Sequence, residues 1–125
     1  MNTILAIAAG GALGAVGRYC VQSLTLRLFD AGFPLGTLSV NVLGSLAMGF
    51  LAHWFLSRGV APEWRSFFLI GGLGAFTTFS TFSLDAVGLY ERGEPGQALL
   101  YVALSVVLSL AGLVLGLWLA RNLMT

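Results

Sequence analysis

Residues 71–83 read Gly-Gly-Leu-Gly-Ala-Phe-Thr-Thr-Phe-Ser-Thr-Phe-Ser, in the middle of an apolar segment that runs from about residue 64 to about residue 89. A lipid-facing helix has no use for a glycine cluster followed by alternating hydroxyls and phenyl rings. Glycine weakens a helix, and Ser and Thr compete for its backbone hydrogen bonds. In lipid, loosened backbone is tolerated only where it is buried in protein or lines a polar cavity. The stretch therefore predicts a broken membrane helix at a site that binds something small.

A membrane setting follows from composition. Of 125 residues, 58% are hydrophobic and only 9% charged, against about 25% charged in a soluble domain. The length allows one domain. A net charge of +1 leaves no basic patch, so nucleic acid is not an expected partner. Lysine is absent; the fixed cations are all arginines. Cys20 is the only cysteine, which rules out an intramolecular disulfide and argues against a metal cluster. The N-terminus lacks the cationic lead-in of a secretory signal and reads as a first spanning helix, retained in the mature protein.

Four apolar segments are long enough to cross the bilayer, at about 3–22, 36–56, 64–89 and 97–120. The expectation is an all-α, single-domain membrane protein with the third helix broken. In the first span Gly10 and Gly14 form a GxxxG pair with Gly17 on the same face, a pattern that permits close helix approach. Arg18 and Tyr19 close it; the arginine either snorkels to the interface or serves a structural or pore-mouth role. The connector that follows holds Arg27, Asp30, Gly32 and Pro34. In the second span Thr37, Asn41 and Ser45 share one face, and the buried Asn41 amide needs partners: an interhelical hydrogen bond, or a permeating solute. His53 reads as interfacial. In the fourth span Tyr101, Ser105 and Ser109 form a polar stripe, continued by the second GxxxG pair, Gly112 and Gly116.

Four spans place both termini on one side, together with Arg58, Arg65 and Arg121. Arg18, Arg27 and Arg92 lie on the other. Three against three gives the positive-inside rule nothing to act on. A chain inserted both ways up could pair with an inverted copy of itself, creating by dimerisation the inverted repeats that larger transporters carry in one chain. Four helices alone leave little room for a pore, which points the same way.

Three elements carry a resemblance over nearly the whole chain: Gly10-Gly11-Ala12-Leu13-Gly14-Ala15-Val16-Gly17-Arg18-Tyr19, Gly36-Thr37-Leu38-Ser39-Val40-Asn41-Val42-Leu43-Gly44, and Thr77-Thr78-Phe79-Ser80-Thr81-Phe82-Ser83. The last is the most specific, since glycine-rich apolar helices are common. The sequence resembles the Fluc (CrcB-type) fluoride channels, small bacterial and archaeal membrane proteins that export fluoride. The resemblance implies an antiparallel, dual-topology homodimer in the cell (inner) membrane, with two narrow pores and a structural Na+ at its centre. The Na+ would be held by backbone carbonyls at Gly74 and Thr77 of both copies. Phe79 and Phe82 would line the fluoride path with their ring edges, Asn41 would lie near them, and Tyr101 and Ser105 would belong to a polar track. Two departures are visible: Ala75 stands where members often have a second glycine, and Asp85 where many have glutamate.

The chemistry is coherent on its own terms. A phenyl ring has a positive edge, so an anion can meet it without meeting a full charge, and a conducted ion must also leave. No arginine is expected at mid-membrane depth, where it would hold a small hard anion too tightly. Hydroxyls of Thr81, Ser105 and Ser109 and the Asn41 amide can replace water as donors. Phe79 and Phe82 are three apart and share a face, with Phe76 continuing the series. Spacing alone would make them a packing stripe; the adjacent hydroxyls and the resemblance favour the pathway. A broken helix exposes carbonyl oxygens suited to a hard cation.

Other classes fit less well. A small proton-coupled multidrug exporter needs an intramembrane carboxylate, and only Asp85 lies near a span. A membrane structural or assembly subunit would account for the GxxxG pairs but not for the hydroxyl-phenyl run. An enzyme lacks paired carboxylates or a Cys/His set.

Overall fold

The computed structural model describes residues 2–29 and 32–123; Asp30 lies outside them. Among the described residues the chain is helical throughout, with four segments long and apolar enough to cross a membrane: Thr3–Leu28, Leu35–Arg58, Pro62–Glu91 and Pro95–Leu123. This is a multi-pass membrane protein.

Helix α1 (Thr3–Leu28) starts where the Asn2 side chain accepts a hydrogen bond from the Ile4 amide at 2.7 Å, satisfying one of the free donors of a helix start. It runs past residue 22, where apolarity alone suggested an end, through Leu28. The polar residues Gln22, Ser23 and Thr25 are therefore helical. Helix α2 (Leu35–Arg58) spans about 36 Å at the usual rise and ends at Gly59, whose φ of 62° is the left-handed closing conformation that glycine adopts freely. Gly93, φ 82°, makes the corresponding turn between the third and fourth spans.

The third span is composite. A first turn, α3 (Pro62–Arg65), has proline at its start, where the missing N–H costs nothing. A π-helical stretch follows over Ser66–Leu73, then one turn, α4 (Gly74–Phe76). The chain breaks at Thr77 and Thr78 and resumes as α5 (Phe79–Glu91). The glycine cluster is therefore not itself the break: helical hydrogen bonding passes through Gly71, Gly72 and Gly74 and fails after them. Helix α6 (Pro95–Leu123) is the fourth span.

What the glycines do is let backbones touch. A Cβ on Gly10 would run into the Phe67 carbonyl, one on Gly14 into the Gly72 carbonyl, and one on Gly71 into the Ile7 carbonyl. Helix α1 and the π-helical stretch thus meet with no side chains between them. The second GxxxG pair does the same elsewhere: a Cβ on Gly116 would strike the Leu46 carbonyl, and Gly49 of α2 faces the Leu113 carbonyl in return. In lipid no hydrophobic force draws helices together, so close packing of this kind supplies much of their attraction. The bundle is accordingly two tight pairs, α1 with the first half of the third span and α2 with α6, with α5 resting on α6.

Candidate permeation site

Thr77 (φ −84°, ψ 160°) and Thr78 (φ −155°, ψ 117°) are extended, so the helical ladder is interrupted in mid-span. Each end of the gap is held by side chains. Asn41 of α2 accepts from the Thr78 amide at 2.7 Å and donates through Nδ2 to the Thr78 carbonyl at 3.0 Å. The Thr78 hydroxyl accepts from the Thr81 amide at 3.1 Å and caps α5. The Thr77 hydroxyl donates to the Leu73 carbonyl at 2.9 Å. Arg18 Nε donates to the Ala75 carbonyl at 3.0 Å, placing a cation at the C-terminal, negative end of α4.

Arg18 requires a correction. Because α1 continues to Leu28, Arg18 is not at the edge of its span but within it, level with the break, so one arginine does lie at depth. Its partner is a backbone carbonyl and it lines neither cavity described below. Buried cations in membranes are held in this way, by carbonyls or counter-charges.

The diverted amides have a consequence for oxygen atoms. In an unbroken helix the Gly74 carbonyl would accept from the Thr78 amide and the Thr77 carbonyl from the Thr81 amide. Those amides go to Asn41 and to the Thr78 hydroxyl instead. Gly74 and Thr77, the two positions carried over for a cation, are thus carbonyls deprived of their ordinary donors at a helix break. Such oxygens fit a hard cation such as Na+. No group of three or more His, Cys, Asp or Glu exists for a softer metal among the described residues.

One cavity adjoins the break and a second lies further along, against α5. The first, about 380 Å³, is lined by Asn41, Thr77, Phe79, Phe82, Ser105 and Ser109 among others. The second, about 280 Å³, is lined by Gln22, Phe33, Thr37, Thr81 and Asp85 among others. Aromatic rings link them. Phe79 and Phe82 have centroids 5.4 Å apart, Phe82 and Tyr101 5.3 Å, and Tyr101 meets Phe33 edge-on at 5.5 Å. Phe82 faces the first cavity and Phe33 the second, while Tyr101 is wholly buried between the two rings and donates to Asp85 Oδ2 at 3.2 Å. Ser105 Oγ is buried without a hydrogen-bond partner. An orphan hydroxyl in an apolar wall is costly and stands ready to serve a solute.

The expected residues thus converge, with differences. Asn41, Phe79, Phe82 and Ser105 share one cavity; Thr81 belongs to the other and Tyr101 bridges them. The Asn41 amide is mainly occupied with Thr78, leaving one N–H to offer. Phe76 does not continue the ring series: it packs between Gly17 of α1 and Gly44 of α2. Gln22, Phe33 and Thr78 were not foreseen as site residues. Thr78 gave a signal in its capping-type hydroxyl; Gln22 and Phe33 gave none, Gln22 standing at the expected end of the first span and Phe33 in the connector after it.

A four-span membrane protein with an interrupted central helix, flanked by hydroxyl- and phenyl-lined cavities, has the construction of a channel or transporter for a small solute. Residues 5–117 match the family described as CrcB-like protein, Camphor Resistance (CrcB), and the chain belongs to that family. It is 51% identical over 124 residues to a protein of Roseobacter denitrificans, covering 98% of each chain. It is also 54% identical over 122 residues to one of Paracoccus denitrificans, covering 98% of this chain and 97% of the relative. Both relatives are named fluoride-specific ion channel FluC.

Proposed function

We propose that this protein is a fluoride-selective channel, not an enzyme, that lets fluoride leave the cytoplasm passively across the cell (inner) membrane and so lowers its toxicity. The observation that carries the reading is the lining of the first cavity. Phe79, Phe82, Asn41 with one N–H to spare and the unpartnered Ser105 hydroxyl line it, with no cationic side chain among its lining residues. Such a surface attracts a small anion and lets it go again. Arg18 contributes positive potential from behind the break without touching the solute.

The working unit we infer is an antiparallel homodimer. Phe79 is 78% exposed in the single chain, although its neighbour Phe82 is buried, which suits a ring completed by a second copy. With Arg18 inside its span, Arg27 and Arg92 oppose Arg58, Arg65 and Arg121, a bias of one residue and too little to impose one orientation. The Gly74 and Thr77 carbonyls would hold Na+, two from each copy, and the ion would add fixed positive charge at the dimer centre.

Purified protein in liposomes is expected to release fluoride at least about a hundredfold faster than chloride without a proton gradient. Phe82→Ile should cut fluoride release about tenfold or more while the detergent-solubilised assembly keeps its size, because an aliphatic side chain has no positive edge. Equal release of the two halides would remove the selectivity. For topology, Glu94→Cys in a Cys20→Ser background should react with an impermeant maleimide about half from outside and half only after permeabilisation. Labelling from one side alone would exclude dual insertion.

A further inference from the structure

In the wall of the second cavity one hydrogen bond has a direction that bears on a passing anion. Fluoride only accepts hydrogen bonds, so a hydroxyl beside its path helps only when its single hydrogen faces the ion. Thr37 of α2 is buried at the wall of this cavity. Gln22 of α1 donates through Nε2 to Thr37 Oγ1 at 3.3 Å. The threonine oxygen is thereby an acceptor toward α1, and its hydrogen is free to be given in the other direction. On that side the cavity wall continues to Thr81 and Asp85, and Asp85 Oδ2 is engaged by the Tyr101 hydroxyl at 3.2 Å. The Thr37 hydrogen is therefore left for the cavity side, away from α1.

Gln22 is held in place for this contact. Gly36 of α2 has no Cβ where one would lie 3.0 Å from Gln22 Cα and 3.1 Å from its Cγ. The nearest competing hydroxyl, Thr25, is committed to the Gln22 carbonyl at 2.9 Å. A donor fixed on one side of a hydroxyl oxygen leaves that hydroxyl's hydrogen for the other side.

We propose that Gln22 is a positioning residue of the ion path: its amide orients the Thr37 hydroxyl so that a hydrogen, not a lone pair, is presented to a passing anion. This rests on the reading of the cavity as part of a fluoride path. The glutamine needs no contact with the ion itself. Its replacement by a group of equal size that only accepts turns the Thr37 hydrogen back toward α1 and presents the oxygen to the solute.

The test is fluoride efflux from liposomes across pH, with protein-free vesicles subtracted. Among the described residues lining this cavity Asp85, from α5, is the only titratable one. Tyr101 reaches it from α6, α2 contributes none to the wall, and Arg18 and Arg27 flank Gln22 on α1. At about pH 8, Gln22→Glu should conduct about tenfold or more below the native chain, because its carboxylate accepts from Thr37 and adds charge opposite Asp85. As pH falls to about 6 the variant should recover several-fold relative to the native chain, since the neutral carboxyl donates as the amide does. Gln22→Met should lose about threefold or more at every pH, with no recovery. Native-like flux in Gln22→Glu at the higher pH, or equal pH-independent losses in both variants, would reduce Gln22 to a space-filler. Independently of whether Gln22→Glu folds, adding Gln22→Met to Thr37→Val should cost no further flux, and additive losses would show that Gln22 does not act through Thr37. A native chain that releases no fluoride would fail the reading of the cavity, not the role of Gln22 within it.

Discussion

Asn41→Leu is expected to abolish measurable fluoride release and to destabilise the protein in detergent by about 2–5 kcal/mol. The side chain is similar in size, so packing volume changes little. What is lost is a two-point hold on Thr78, with bonds of 2.7 and 3.0 Å. The Thr78 amide and carbonyl would then face an apolar interior with no partner from α2. Each unsatisfied group costs about 1–3 kcal/mol, and no water is available in the bilayer core to make up the loss. The chain has one escape, which is to close the gap by letting Thr78 bond back to Gly74. That would rebuild a continuous helix and remove the free carbonyls and the offset of Phe79 and Phe82. Either outcome ends conduction. Asn41→Asp, which keeps the acceptor for the Thr78 amide, should retain more stability than Asn41→Leu. Chemical denaturation monitored by tryptophan fluorescence, alongside fluoride efflux, checks both; an Asn41→Leu protein of native stability and flux would show that the break does not depend on this amide.

The second large effect is expected from one methyl group. Gly14→Ala should leave little folded protein, because its Cβ would fall on the Gly72 carbonyl and lie 3.1 Å from the Phe76 amide nitrogen. The obstacle is backbone on both sides, so no rotamer change relieves it. Separating the helices forfeits contacts along the crossing, a cost of about 3 kcal/mol or more given that overpacking against movable side chains already costs about 1–3. Gly17→Ala, one turn on, is the control: its Cβ would meet the Phe76 ring at 3.6 Å, an ordinary contact. It should fold and conduct. Yield of monodisperse protein and midpoint of thermal unfolding distinguish the two, and a Gly17→Ala protein that unfolds as readily as Gly14→Ala would mean that the crossing is not centred on Gly14.

Glycine illustrates how far the primary structure could be read. Gly10, Gly14, Gly112 and Gly116 stand at four-residue spacing in apolar segments, and that pattern signals close approach whatever the partner. It does not name the partner. Gly71 and Gly72 were legible as an anomaly in a membrane helix, and the break does fall just after them, at Thr77 and Thr78. Their job was not legible, because a glycine that loosens a helix and a glycine that admits a neighbouring backbone look the same in one dimension. At the break itself the Thr78 amide and carbonyl are held by Asn41, 37 residues away in the chain.

Arg18 shows the opposite error. Its position relative to the bilayer was inferred from where apolarity faded near residue 22, yet α1 continues through Gln22, Ser23 and Thr25. Two of these polar side chains have partners: Gln22 in Thr37, Thr25 in a backbone carbonyl of its own helix. A hydropathy reading treats each as exposed to lipid and ends the helix at about Gln22.

What one dimension determined is the solvent and the inventory. Long apolar runs with few charges can satisfy their backbone in lipid only as helices, so four spans, their approximate places, and the presence of rings and hydroxyls in the third were fixed by local composition. What only the folded chain decided is which groups are spent and which are left over. Asn41 has most of its amide engaged with Thr78, Arg18 is directed to Ala75, Tyr101 to Asp85 and Gln22 to Thr37, whereas Ser105 keeps its hydroxyl unclaimed. Each of these pairings joins two helices, and a hydrogen bond between helices depends on their mutual height and rotation. Those quantities are set by the backbone contacts at Gly14 and Gly116, which no local pattern along the chain records.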